Sequence, residues 1–319
     1  MIMTETKNRL IEEIQEWKKK RNAILLAHNY QLPEIQDIAD VLGDSLSLAR
    51  ATLDTSADVI VFCGVHFMAE TSAMLNPEKT VLLPDLEAGC SLADSITAEQ
   101  LRAWKAEHPD AVVVAYVNTT AEVKAESDYC CTSSNAVDIV RSIPEDKEIL
   151  FLPDMFLGSF VKNQTGRENI HIWMGECHVH AGIAPYQVEE VLTKHPEADL
   201  LVHPECGCST SSMYLKSEGV LPQDKTHILS TGNMLTHSKN SSAEEFIVAT
   251  EVGIIHQMEK QNPTKRFIAA NPEAVCPFMK MITLEKVLAA LKENKHVITV
   301  PKEIAERAKL SIDRMVSIG

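Results

Sequence analysis

No stretch of this sequence stays apolar for the roughly 18 residues that a membrane span needs, so it does not read as a membrane protein. The opening MIMTETKNRLIEEIQEWKKK is a polar amphipathic helix carrying Leu10, Ile11, Ile14 and Trp17, and it lacks the apolar centre of a signal peptide. Basic residues are in deficit: 30 Lys and Arg stand against 45 Asp and Glu, for a net charge of −15. That balance argues against a nucleic-acid footprint, and any anionic ligand must be held by local groups rather than by the overall field. The eight cysteines contain no CxxC…CxxC set, which leaves a zinc ribbon or a ferredoxin-type array unsupported. The expectation is a cytoplasmic protein in a reducing compartment, whose cysteines are buried thiols, redox groups or metal ligands rather than a disulfide framework. Low-complexity segments and long linkers are missing too, and 45% hydrophobic with 24% charged residues is an ordinary globular balance.

What is present is a regular alternation of apolar strand-like runs with helical patterns, which points to α/β layers and mostly parallel sheets. The strand candidates are Ala23–Ala27, Asp58–Phe62, Val81–Leu83, Ala111–Ala115, Glu148–Leu152, Ile170–Trp173, Asp199–Val202, His227–Leu229, Phe246–Ala249 and Arg266–Ala269, and Cys130–Cys131 lies on a further strand. Between them fall helices such as Pro33–Leu42, with Pro at its start, and Ala98–Glu107 after the capping box Thr97…Gln100.

The alternation repeats. AILLAHNY, AVVVAYVN and ADLLVHPE are each an apolar strand running into a polar cluster that begins at His28, Tyr116 and His203. Ser45 follows His28 by 17 residues, and Ser133 follows Tyr116 by the same interval. After His203 the matching step reaches Ser230–Thr231, longer by an insertion that CGCSTSSMYLK absorbs. A second strand follows in each third (VIVFCG, EILFLPD, FIVATEVG). Cys90 then comes 62 residues after His28, Cys177 61 after Tyr116, and Cys276 73 after His203. This spacing reads as three related units of about 90 to 100 residues, divided at 1–108, 109–195 and 196–319, with flanking helices at both ends. The fold expected is α/β: three three-layer αβα domains around a pseudo-threefold axis, their strand ends and cysteines meeting at one central site.

Taken singly, each cysteine is most simply a buried thiol. The equivalent placement of Cys90, Cys177 and Cys276, in EAGCSLAD, MGECHVHAG and EAVCPFM, raises them to metal ligands. Three thiolates suit a 4Fe-4S cluster with one iron free of protein ligands, a Lewis acid rather than an electron carrier. Cys63 and Cys130–Cys131 read as buried strand thiols; Cys206 and Cys208 read as loop thiols, with a redox pair or adventitious metal as the alternatives.

Ser45, Ser133 and Ser230–Thr231 each stand where a turn passes into a helical pattern, the place of an N-cap, where free amides and partial positive charge attract anions. Three such positions around one centre favour a ligand with several carboxylate or phosphate groups. His28, Asn29, Tyr30, Tyr116, Asn118, His203 and Glu205 lie beside them as acid–base and polar candidates, and His180 follows Cys177 by three residues.

At this point the residues resemble a known family, quinolinate synthase, the iron–sulfur enzyme of bacterial and archaeal NAD biosynthesis. The resemblance runs through AHNYQ, GDSLSLA, VFCGVHFMAETSA, LPDLEAGCSLAD, YVNTTAEVKAESD, CTSSNA, FLPDMFLGS, HVHAGI, VHPEC, STGNM, FIVATEVGI and the Cys276 segment, across nearly the whole chain. It implies three αβα domains around a cluster held by Cys90, Cys177 and Cys276. It also implies condensation of dihydroxyacetone phosphate with iminosuccinate (iminoaspartate) to quinolinate, with loss of phosphate and water. His28, Ser45, Tyr116, Asn118, Ser133, His203, Glu205 and Thr231 then match substrate and product contacts. Glu205 is the main acid–base group, assisted by Tyr30 and His28. L-Aspartate oxidase is the implied partner supplying iminosuccinate. Some relatives are shorter around Cys206 and Cys208, and some carry a cysteine-rich C-terminal tail where this sequence reads ERAKLSIDRMVSIG. Two rival readings are a cluster-dependent hydro-lyase acting on a simple di- or tricarboxylate, and a non-catalytic iron–sulfur sensor. The sensor would need a basic or apolar docking face, and no basic run is present.

Overall fold

The apolar runs are too short for helices of their own and rich in Val, Ile and Leu, and each is joined to the next by a helical segment. Strands so connected pair in parallel, with helices covering both faces. In the computed structural model, which describes residues 2–319, they form three four-stranded parallel sheets. The first holds β1 (Ala23–His28), β2 (Val41–Gly43), β3 (Val59–Cys63) and β4 (Thr80–Leu82), in the order β2-β1-β3-β4. The second holds β5 (Val112–Tyr116), β6 (Tyr129–Cys131), β7 (Ile149–Leu152) and β8 (Ile170–Ile172), in the order β6-β5-β7-β8. The third holds β9 (Asp199–Val202), β10 (Thr226–Ile228), β11 (Glu245–Ala249) and β12 (Arg266–Ala269), in the order β10-β9-β11-β12. One strand order recurs three times, as the spacing of the motifs anticipates. β3, β7 and β9 are buried at every position, which is why their sequences show no polar alternation.

The strands expected from the sequence match those observed to within one residue at either end. The helix expected over Pro33–Leu42 is shorter: it runs Pro33–Ile38, and Val41–Gly43 is strand β2. Asp40 accounts for the switch. Its carboxylate accepts a hydrogen bond from Leu25 N at 2.7 Å and its own N–H donates to Leu25 O at 2.9 Å, which draws the following residues onto β1. Asp128 performs the same service before β6, accepting from Val113 N at 2.8 Å. The insertion in the third unit becomes the helix Ser209–Ser217, where the other units have only Pro33–Ile38 and Ala121–Ala125.

The last two helices follow the third sheet in sequence but pack chiefly elsewhere. Leu284–Glu293 lies against the helix Ile2–Lys20 and β3. Lys302–Ser317 lies across Ala121–Ala125, β6 and His66–Leu75, with Ser311 Oγ donating to Lys124 O at 3.0 Å. No helix among the described residues is long and apolar enough to cross a membrane.

Candidate functional site

Parallel sheets place their functional loops beyond the strand carboxyl ends, and all three sheets here open onto one cavity. The sequence candidates His28, Tyr30, Ser45, Cys90, Tyr116, Asn118, Ser133, Cys177, His203, Glu205, Thr231 and Cys276 all line it. Among the described residues, no lysine or arginine side chain does.

The cysteines arrive by one device used three times. Each stands on the loop after the fourth strand of its sheet, just before a short helical turn: Ala93–Ser95, His178–Ala181 and Met279–Met281. The amides two and three residues further on hydrogen-bond the sulfur: Leu92 and Ala93 for Cys90, Val179 and His180 for Cys177, Phe278 and Met279 for Cys276. Burial pushes the Cys90 thiol up to about 12 and raises the other two, against the pull of those amides. A sulfur so buried stays a neutral thiol, even with two amide donors, until a metal replaces the proton. The donor set thus fits a cluster or ion bound through three thiolates. All three are free cysteines.

The hydroxyl groups correct one expectation. Ser45 and Ser133 are not themselves caps, whereas the third position is one through Ser230: Asp44 caps the helix Ser45–Asp54 by accepting from Ser47 N, and Ser230 caps Thr231–Asn240 by accepting from Asn233 N. In these two helices the capping residue stands just before the hydroxyl that lines the cavity, and Thr231 Oγ1 accepts from Asn29 Nδ2 at 3.2 Å. The helix Ala136–Ser142 begins after Asn135, and the Thr132 backbone and hydroxyl hydrogen-bond Asn135 Oδ1. Ser134 Oγ contacts both Asp44 Oδ2 at 2.8 Å and Ser230 Oγ at 2.9 Å, tying the equivalent turns of the three units together.

At the centre lies a buried network. Glu205 Oε2 lies 3.2 Å from His203 Nδ1 and 3.7 Å from His180 Nδ1, while the Tyr116 hydroxyl hydrogen-bonds the carboxylate. Burial alone would raise the Glu205 carboxyl; the imidazole contacts and the Tyr116 hydroxyl outweigh it and hold the group below the usual carboxylate range. His203 Nε2 meets Ser133 Oγ at 3.2 Å. Burial keeps the Tyr30 and Tyr116 phenols protonated and brings His28 and His180 down to about 4, so both rings are neutral near pH 7. His28 Nδ1 accepts from Tyr30 N at 3.2 Å, which leaves the proton on Nε2. Two buried atoms in the lining, Glu205 Oε1 and Asn118 Oδ1, have no hydrogen-bond partner. Orphaned polar atoms of that kind are costly and mark where a ligand or water completes the site.

A family model described as "Quinolinate synthetase A protein" matches residues 12–317. The chain is 56% identical over 310 residues to a quinolinate synthase of Thermus thermophilus, covering 97% of each chain. It is 57% identical over 307 residues to that of a Mycobacterium species and 55% identical to that of Mycobacterium tuberculosis, covering 96% of this chain and 91% and 88% of theirs. The chain belongs to the quinolinate synthase family.

It is therefore an enzyme, and several parts of its site escaped the sequence. Thr250, at the end of β11, hydrogen-bonds both Tyr30 Oη and His180 Nε2. Glu251 accepts from Cys276 N at 3.0 Å and Gly253 N at 2.7 Å and pairs with Lys280 at 2.8 Å; Lys280 also donates to Tyr30 O. Asp154, buried at the end of β7, accepts from Cys177 N. The available signal was an acidic residue two positions beyond an otherwise apolar strand, Asp154 or Glu251. His180 proves central: its Nδ1 lies 3.3 Å from Cys177 Sγ and its Nε2 3.2 Å from Tyr30 Oη. Cys63, Cys130 and Cys131 are buried strand thiols, as expected. Cys206 and Cys208 are a corrected case: they are disulfide-bonded across one residue rather than loop thiols, because the tight turn before Ser209–Ser217 brings their Cα atoms within 5.1 Å.

Proposed function

We propose that this family member condenses iminosuccinate with dihydroxyacetone phosphate to quinolinate, phosphate and water, with a 4Fe-4S cluster held by Cys90, Cys177 and Cys276. The observation that carries the reading is the threefold use of one sulfur cradle at the mouth of the same cavity that holds Glu205 and the free hydroxyls. When bound, the cluster supplies an iron without a protein ligand, a Lewis acid for substrate oxygen. The division into units at 1–108, 109–195 and 196–319 around that centre, a cytoplasmic location and delivery of iminosuccinate by L-aspartate oxidase belong to the same proposal.

The chain's own residues have distinct tasks. Ser45, Ser133 and Thr231 hydrogen-bond the two carboxylates of iminosuccinate, aided by the positive ends of the helices Ser45–Asp54 and Thr231–Asn240. This holds a dianion without Lys or Arg in an acidic protein. Tyr116 and Asn118 orient the ligand, and the open Asn118 Oδ1 accepts from it. Glu205, ionised and with one oxygen free, takes the protons that ring formation and dehydration release, and His203 holds its other oxygen. Tyr30 and neutral His28 donate hydrogen bonds while the triose isomerises.

The test is an anaerobic assay for the pyridine dicarboxylate with Glu205→Gln, which keeps shape and removes the base. Turnover should fall about 10²–10⁴-fold with substrate affinity changed far less and the iron content intact. Near-normal turnover would move the proton transfers to Tyr30, Tyr116 or His203; a product other than a pyridine dicarboxylate would favour the hydro-lyase reading.

A further inference from the structure

Three side chains near the amino-terminal end of the third sheet have no part in the proposed reaction, and none of them lines the cavity. Asp199 opens β9, His227 sits in β10, and His237 is in the last turn of the helix Thr231–Asn240. Asp199 Oδ2 lies 3.0 Å from His237 Nε2 and 3.9 Å from His227 Nε2, and the two imidazole centroids are 4.0 Å apart. One donor atom from each of the three falls within 4.8 Å of the others.

The decisive atom is His227 Nε2. It is buried and has no hydrogen-bond partner, while the ring's other nitrogen is engaged by the Asp224 backbone. A nitrogen facing a backbone carbonyl must carry the proton, so Nε2 presents a bare lone pair to Asp199 and His237. The Nε2 proton of His237 goes to Asp199, and Ser241 Oγ donates to the same carboxylate oxygen at 3.0 Å. A carbonyl-anchored imidazole beside a second imidazole and a carboxylate is the usual arrangement of a histidine metal ligand. The two separations bracket the roughly 3.3 Å expected between donors that sit about 2.0–2.1 Å from a tetrahedral zinc ion. A second cluster, His108–Glu148–His171, differs at this point: its imidazoles take one carboxylate oxygen each, at 3.0 and 2.6 Å, and no nitrogen is orphaned.

We propose that Asp199, His227 and His237 bind a divalent transition ion of the zinc type, His237 changing to its Nδ1–H tautomer so that Nε2 ligates the ion in place of its proton, with the fourth position open to water. The ion clamps the helix Thr231–Asn240 to β9 and β10. His237 lies six residues beyond Thr231, about 9 Å along the helix, so the clamp secures the far end of the element whose first residue lines the cavity.

Tag-free, anaerobically purified full-length enzyme, stripped of loose metal by dialysis, is titrated with Co²⁺. One equivalent should bind with the visible bands of four- or five-coordinate nitrogen–oxygen ligation, and Zn²⁺ should displace it. His227→Gln and His237→Gln should each weaken binding at least as much as the about 10–100-fold that loss of an outer-shell partner costs. His108→Gln should leave it unchanged. Hydrogen exchange of amides 231–240 should slow when Zn²⁺ is added to the native enzyme and not when it is added to Asp199→Asn, a readout that survives if a histidine variant folds poorly. Unaltered Co²⁺ bands in both histidine variants, thiolate charge-transfer absorption marking the cysteines instead, or no binding at all would overturn the proposal.

Discussion

Cys177 and Cys276 reach the cavity on loops whose backbones are gripped by a buried carboxylate, Asp154 from the end of β7 and Glu251 from the end of β11. Cys90 occupies the same place in the first unit, but two residues beyond β3 stands Val65 in place of a carboxylate, and before it Gly64, where a Cβ would meet Met68 Sδ at 2.9 Å and Phe62 Cε1 at 3.0 Å. Its loop is held by other means. His66 N donates to Ala88 O at 2.8 Å, Leu83 N donates to His296 O at 3.1 Å, and Lys286 pairs with Asp85. One repeated unit therefore positions its sulfur with a local acidic side chain in two copies and, in the remaining copy, with a segment arriving from the far end of the chain. The lesson is that a repeat preserves where a ligand stands more strictly than how it is supported.

The largest expected effect ignores that difference. Replacing Cys90, Cys177 or Cys276 by Ala should remove bound iron and activity alike, whatever anchors the loop, whereas Cys63→Ala should retain both; iron and sulfide counts with the product assay decide it. Retention of full iron in any one of the three would break the equivalence.

The supports should separate where the sulfurs do not. Glu251→Ala leaves the mostly buried Lys280 without its carboxylate and two backbone N–H groups without an acceptor, so unfolding in denaturant should show a loss of about 3–5 kcal/mol. Asp154→Ala strands backbone donors but no cation, and about 1–3 kcal/mol is expected. Gly64→Ala, by overpacking against Met68 and Phe62, should cost about 1–3 kcal/mol. Equal losses in Glu251→Ala and Asp154→Ala would show that charge pairing adds nothing to the third loop.

Ser134 joins the three hydroxyl-bearing turns, so Ser134→Ala tests whether they act as one. Loss of its bonds to Asp44 and Ser230 should cost about 0.5–1.5 kcal/mol each and show as a raised KM with kcat nearly kept. A purely structural role would lower stability and leave KM unchanged.

The smallest effect concerns the C-terminal helix that holds the first two units together. Glu126, beside Ala121–Ala125, lies between Arg307 of that helix and Arg102; partial burial works to raise its pKa, yet these guanidinium contacts bring it below the usual range. A lowered folded-state pKa contributes stability that is present above the unfolded value, about 4.3, and is lost as pH falls through the folded one. Acid titration of unfolding stability should therefore show a shallower fall in Glu126→Gln below about pH 4, with the two proteins converging at the acid end.

Much of the fold was legible because a buried parallel strand writes itself as an unbroken apolar run, and three copies of one run at matched spacing reveal a repeat. Strand β2 was not, since Val41–Gly43 is too short to signal and is held in place by Asp40 reaching back to β1. The candidates placed by motif spacing line one cavity, apart from Asn29 and Ser230 just behind it, because the polar cluster after each apolar run marks a strand's carboxyl end. Thr250, Glu251, Asp154 and Ser134 were not singled out, since their importance lies in partners more than 20 residues away, up to 220 for Thr250 and Tyr30, and no local pattern encodes those distances.

Taken alone, the amino-acid order determined the number of repeats, every strand but β2 and which residue types stand at the strand ends, for all of these follow from periodicity within a few residues. Only the tertiary structure decided which hydroxyl caps and which faces the cavity, that Cys206 pairs with Cys208, and that the last helices fold back over the first two sheets. It also decided that His227 is left with a lone pair between Asp199 and His237. Each of these depends on which surfaces meet once three sheets share a centre, and burial then sets the protonation of every group trapped between them.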